Sequence, residues 1–137
     1  MKKISLLLTA LIMVIPFSSA NAADSKVNAG NGSWERVGKS WFYETTCSGG
    51  VTCYMTSYVR STGGDFKVVI SPRINANFDL WEYDSGSNPD EFVGSFNDHY
   101  HIFRSINKFV DGPNNRAEFY LSSTDRDVIG NQAYFYD

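Results

Sequence analysis

Histidine and cysteine are scarce in this 137-residue chain, each occurring twice. Both pairs are local, His99 with His101 and Cys47 with Cys53. Nucleophilic hydrolysis of the serine type needs a histidine, an oriented carboxylate and an oxyanion hole around the nucleophile. The chain has many serines but no G-x-S-x-G elbow, and its histidines share one short stretch. No glycine-rich phosphate loop of the P-loop or dinucleotide type is present. Beyond residue 22 no run of ten or more residues carries a convincing helical pattern, and there is no long repeat or low-complexity tract. Positive charge is also short, with 12 Lys and Arg against 15 Asp and Glu. An acidic balance argues against non-specific binding to nucleic acid and against attraction to an anionic membrane.

One long apolar run exists, at residues 4–15, and it reads as an export signal. Lys2 and Lys3 precede it, Pro16 breaks it, and Ala20-Asn21-Ala22 places small residues before a cleavage point. A dozen apolar residues fall short of the roughly 20 that a spanning helix needs. No cysteine marks the cleavage point, so no lipid anchor is indicated there. The expected layout is a signal peptide over 1–22, a flexible lead over 23–33, and one domain over 34–137. Cleavage leaves 115 residues, enough for one hydrophobic core. Without Lys2 and Lys3, 10 basic residues face 15 acidic ones. The protein is therefore expected to be secreted and extracellular, a monomer, with no membrane insertion and no nucleic-acid partner. In that compartment Cys47 and Cys53, in CSGGVTC, are expected to form a disulfide. Their spacing is not the C-x-x-C of a redox site, and no histidine lies nearby in sequence.

From Trp34 onward the sequence reads as strand after strand, organised around residues 76–96. Phe78, Leu80 and Glu82 share one parity, and Asp79, Trp81 and Tyr83 share the other. A polar turn over 84–90 then leads into a second strand at 91–97. Upstream, 39–47 and 52–61 flank the Cys-Gly-Gly turn as a hairpin with the disulfide across its end. Gly63-Gly64 turns into a strand at 65–71, which Pro72 stops. Further strands are expected at 34–37, 99–107, 116–122 and 131–137, with a single helical turn within 105–111 and turns at 111–115 and 125–130. Eight or nine short strands with so many rings point to two packed sheets. The expected fold is all-β, an antiparallel β-sandwich of jelly-roll-like character, with a small barrel as the alternative.

The run FKVVISPRINANFDLWEYD, followed by FVGSF and later AEFYLSS, resembles in rhythm the pre-peptidase C-terminal-type domains. Those are β-sandwiches appended to secreted bacterial enzymes. The resemblance covers residues 65–123 and implies the architecture rather than an activity. The chain also resembles small secreted bacillus-type proteins of unknown function.

Several groups of residues invite a chemical reading. His99 and His101 at i and i+2 on a strand face the same way and suit Zn²⁺, given a third ligand from elsewhere. The plainer alternative is two surface imidazoles. Asp84, Asp90 and Glu91 in one turn, and Asp125 and Asp127 in another, supply oxygens of the kind Ca²⁺ takes, or simply cap turns. Glu44, Glu82 and Glu118 lie on expected strands, where a carboxylate pair is what glycoside cleavage requires and solvent exposure is the ordinary outcome. Of 21 aromatic residues only Phe17 falls in the leader. Trp41, Tyr43, Trp81 and Tyr83 form two i, i+2 pairs on single strand faces and are the candidates for displayed rings, which cover apolar sugar faces while polar neighbours fix hydroxyls. The expected function is a non-catalytic extracellular binding module for a polysaccharide or a protein surface, with no obligatory cofactor. A small secreted effector or antimicrobial protein is the alternative, and a metal-dependent hydrolase a third.

Overall fold

The computed structural model describes residues 33–111 and 113–137. The leader expected at 1–22, and the lead as far as residue 32, lie outside them. Ten strands follow in order: β1 (Arg36–Trp41), β2 (Tyr43–Thr46), β3 (Thr52–Met55), β4 (Val59–Ser61), β5 (Phe66–Ser71), β6 (Phe78–Glu82), β7 (Glu91–Phe96), β8 (Tyr100–Phe103), β9 (Ala117–Ser123) and β10 (Gln132–Tyr136). Among the described residues the only helical pieces are short 3₁₀ turns, at Ser48–Gly50, Ile106–Phe109 and Arg126–Val128.

All strand pairs are antiparallel and form two sheets. One is four-stranded, in the order β1-β10-β5-β8. The other is six-stranded, in the order β2-β3-β9-β6-β7, with β4 also paired to β9. Neither closes on itself, so the sandwich holds and the barrel alternative does not. The period-2 pattern explains the packing. Phe66, Val68 and Ile70 of β5 and Ala133 and Phe135 of β10 turn inward from the first sheet. Phe78 and Leu80 of β6 and Ala117, Phe119 and Leu121 of β9 turn inward from the second. The Phe66 ring meets Phe119 at 4.7 Å and Phe135 at 5.9 Å between centroids.

The aromatic residues sort by chemistry. Eight of the nine described phenylalanines are buried, Phe92 being the exception, whereas no tryptophan is buried. A phenyl ring has no polar atom to satisfy, while indole N–H and phenol O–H favour positions with one wet end.

Two expected strands are each divided in the structure. The segment 39–47 crosses between sheets, with Trp41 ending β1 and Tyr43 opening β2. The hinge between them, Phe42, is buried against Phe78 at 5.7 Å. The segment 52–61 breaks at residues 56–58, where the register on β9 shifts by one residue. Thr56 bridges the break: its N–H donates to Leu121 O, and its Oγ1 accepts from Leu121 N–H, both at 3.0 Å. Similarly, Gly63 and Gly64, both at positive φ, carry the chain from one sheet to the other rather than around a hairpin. The β2–β3 hairpin is as expected, with a Cys47–Cys53 disulfide across its turn. Chain-entropy arithmetic for so short a loop gives roughly 2.4 kcal/mol.

The sheets approach closely where β1 passes β4. A Cβ at Gly38 would lie 2.3 Å from Val59 Cγ1 and 3.0 Å from its Cβ. Gly38→Ala is expected to destabilise the protein by about 1–3 kcal/mol, through overpacking at this contact. Denaturant unfolding measures the loss, and Val59→Ala in the same background should recover part of it.

Candidate functional site

The outward face of the six-stranded sheet carries a row of rings set by strand register. Trp81 pairs with Tyr120 of β9 on one side and with Phe92 of β7 on the other. The Trp81 and Phe92 rings meet edge-on at 5.2 Å, and Trp81 Nε1 donates to Ser122 Oγ at 3.0 Å. Tyr120 is buried beneath them, its hydroxyl donating to Asp90 Oδ2 at 2.7 Å. Burial and that carboxylate hold its phenol well above the ordinary tyrosine range. Asp90 also accepts from Asp84 N–H at 3.2 Å, which draws the β6–β7 turn back onto the face. Next to the row, Tyr58 and Tyr83 stack with centroids 5.3 Å apart and planes 3° from parallel. Tyr43, Tyr58, Tyr83 and Phe92 are 48%, 49%, 39% and 52% exposed.

Of the four rings singled out in the sequence, Tyr43, Trp81 and Tyr83 belong to this sheet, with Trp81 only half-buried. Trp41 is well exposed but sits on β1, paired with Gln132 in the other sheet. It is not brought together with the rest. Tyr58 was missed, because it lies in the break between β3 and β4 where strand alternation is lost.

Beside the Tyr58–Tyr83 stack opens a cavity of about 240 Å³, whose walls include Arg60, Asp84, Asp111 and Glu118. Glu82 also lines it. It follows Phe78 and Leu80 in the core-facing parity of β6 and is 2% exposed. Its Oε1 accepts from Glu118 N–H at 3.2 Å, while Oε2 meets no hydrogen-bond partner among the described residues. Desolvation first, then the nearby Asp84, Asp111 and Glu118 carboxylates, raise its pKa to about 7. Arg60 Nε donates to Glu118 Oε1 at 3.2 Å, and Asn114 Nδ2 donates to the same oxygen at 2.9 Å. The sequence did place Glu82 on the face of Phe78 and Leu80. That parity was the available signal for a buried acid.

The remaining candidate residues have local partners. His99 Nδ1 lies 2.5 Å from Asp98 Oδ1, whereas the His101 ring stacks on Phe96 at 5.4 Å and meets Phe103 edge-on at 4.6 Å. Asp125 Oδ1 accepts from Asp127 N–H at 2.9 Å, capping the 3₁₀ turn at Arg126–Val128. Asp84 Oδ2 accepts from Asn88 at 2.6 Å. Glu44 and Glu91 are exposed on β2 and β7. Among the described residues no three His, Cys, Asp or Glu side chains are grouped to hold a metal ion, and no helix is long and apolar enough to cross a membrane.

A family model described as the YndA coiled coil domain matches residues 36–134, nearly the whole sandwich. The chain belongs to the YndA family. It is 36% identical over 138 residues to the uncharacterized protein YndA of Bacillus subtilis (strain 168), covering 95% of this chain and 93% of the relative. The likeness to bacillus-type proteins of unknown function is thereby supported, and the likeness to pre-peptidase C-terminal-type domains is not. No solved structure matches the chain. The coiled coil in the family's description has no counterpart among the described residues, whose only helical pieces are the three 3₁₀ turns.

Glu82 gives a measurable pH signature. Its native pKa lies above that of the unfolded chain, so its stabilising contribution is full below about 4.5 and is lost as pH rises to about 7. Glu82→Gln is expected to flatten this slope and to gain roughly 1–3 kcal/mol over wild type above pH 7. Thermal melts from pH 4.5 to 8 follow it.

Proposed function

We propose that this family member is an exported, non-catalytic binding module that takes an extracellular polysaccharide on the outward face of its six-stranded sheet. The observation that carries the reading is the parallel Tyr58–Tyr83 stack, exposed beside Trp81 and Phe92 on one side of the sandwich. Flat rings cover the apolar faces of pyranoses, and nearby polar side chains can fix their hydroxyls. Asp79 and Ser95, joined at 2.5 Å on the neighbouring register row, supply such groups. Export is supported by the leader pattern at 1–22 and by the disulfide. The acidic balance is better matched to a soluble polymer-binding protein than to a cationic membrane-active one.

A second reading comes from Glu82. A carboxyl with its pKa near 7, lining a pocket, has the poise of a general acid in glycoside cleavage. Release of reducing ends from a polysaccharide, abolished in Glu82→Gln, would favour this enzyme over the binding module.

Retention of the purified protein on insoluble polysaccharides tests the proposal. The Tyr58→Ala and Tyr83→Ala double variant is expected to weaken retention about tenfold, as each aromatic contact contributes about 0.5–1.5 kcal/mol. Trp41→Ala, on the other sheet, should leave it unchanged. Absence of retention on every polysaccharide tried would sink the reading.

A further inference from the structure

We infer that the cavity beside the Tyr58–Tyr83 stack is a seat for a primary ammonium group, and that the polysaccharide taken by the sheet face carries free amines. The inference rests on the polysaccharide reading above and names the sugar chemistry that this site selects. Its basis is the buried Glu82 Oε2, which meets no hydrogen-bond partner among the described residues although its residue lines the cavity, the Arg60 and Asn114 donors there being taken by Glu118. Leaving a buried acceptor unsatisfied is costly, and a ligand donor placed there recovers that cost.

The walls specify the sign of the ligand. Asp84 and Asp111 share the cavity with Glu82 and Glu118, and the Arg60 guanidinium is engaged by Glu118 alone among these acids. Negative charge therefore remains in excess. An ammonium offers three donors and no acceptor, which suits a wall of carboxylate oxygens. A divalent ion is disfavoured, since no three acidic side chains are grouped for shared coordination among the described residues.

Shape and lining separate an amino sugar from a lysine side chain. Lysine brings its charge at the end of a long apolar stem, which prefers an apolar channel. Here the acids are flanked by Ser85, Asn114 and the two tyrosine rings. In an amino sugar the nitrogen is bonded directly to the pyranose ring. It can reach the carboxylates while the ring lies on a tyrosine face and its hydroxyls meet Ser85. The cavity, at about 240 Å³, is below the roughly 300–1,000 Å³ of drug-sized sites and suits a single saccharide unit.

Calorimetric titration of the protein with β-1,4-linked glucosamine hexamer and with its fully N-acetylated counterpart tests this. The amine form is expected to bind at least tenfold more tightly at neutral pH, a difference that one charge-assisted hydrogen bond can supply. Glu82→Gln and Asp111→Asn should each erase most of that preference while leaving the N-acetylated hexamer unaffected. Asp111 is exposed, so its variant carries the test even if Glu82→Gln folds poorly. Glu35→Gln removes an equal charge away from the cavity and should change nothing. Equal affinity for the two hexamers would overturn the ammonium seat but leave the aromatic-face reading standing. Equal losses in Glu35→Gln and Glu82→Gln would also overturn it, by showing bulk charge attraction. A lysine-rich peptide binding more tightly than the amine hexamer would reject the amino sugar. Binding of neither hexamer, with no retention on any polysaccharide, would remove both proposals.

Discussion

The contact on which the molecule depends is that of Phe66 with Phe119, one ring from each sheet at 4.7 Å in a region with no access to water. Around it Phe135, Leu80, Leu121 and Val68 are fully or almost fully enclosed. Removing this apolar area from water is the main favourable term holding the two layers face to face, since hydrogen bonding within each sheet says nothing about how the sheets meet. Filling the interior with phenyl rings also decides what stays outside. Tryptophan and most of the tyrosines, having polar atoms to satisfy, are left nearer the surfaces, Tyr54 and Tyr120 being the buried exceptions, and strand register gathers several of these rings on one side.

β9 is where the core and the candidate site are coupled. Its inward residues, Ala117, Phe119 and Leu121, pack the interior. Its outward residues, Glu118, Tyr120 and Ser122, anchor Arg60, Asp90 and Trp81 respectively. A single strand thus packs the interior with one face and ties down Arg60, Asp90 and Trp81 with the other. Glu82 breaks the division of labour on the neighbouring strand, as an acid in a parity otherwise reserved for Phe78 and Leu80. Such a conflict between local pattern and burial is where function is to be sought.

Much of this was legible in the sequence because it is local. Alternation marked β5, β6 and β9, Pro72 marked the end of β5, and the CSGGVTC spacing marked the closed hairpin. What was hidden is non-local. A run such as KSWFYETTC does not reveal that the chain changes sheets at Phe42, because the next residues continue as strand. For the same reason Trp41 and Tyr43, two residues apart, belong to different sheets. The cavity was also out of reach, being assembled from β4, β6, β9 and the segment after Phe109. The rhythm that resembled pre-peptidase C-terminal-type domains is one that many two-sheet folds share, so it indicated layers and not kinship.

On the four-stranded sheet Lys67 extends from β5, with its ammonium 4.5 Å from the Trp34 ring centre and 4.2 Å from that of Tyr136. That clamp engages Tyr136 of this sheet and Trp34 just ahead of β1, whereas Tyr58 and Tyr83 on the opposite side stack on each other. The two faces of the slab therefore hold their rings differently, one around a lysine and one ring against ring, while Trp41 and Tyr100 also stand exposed on the four-stranded side.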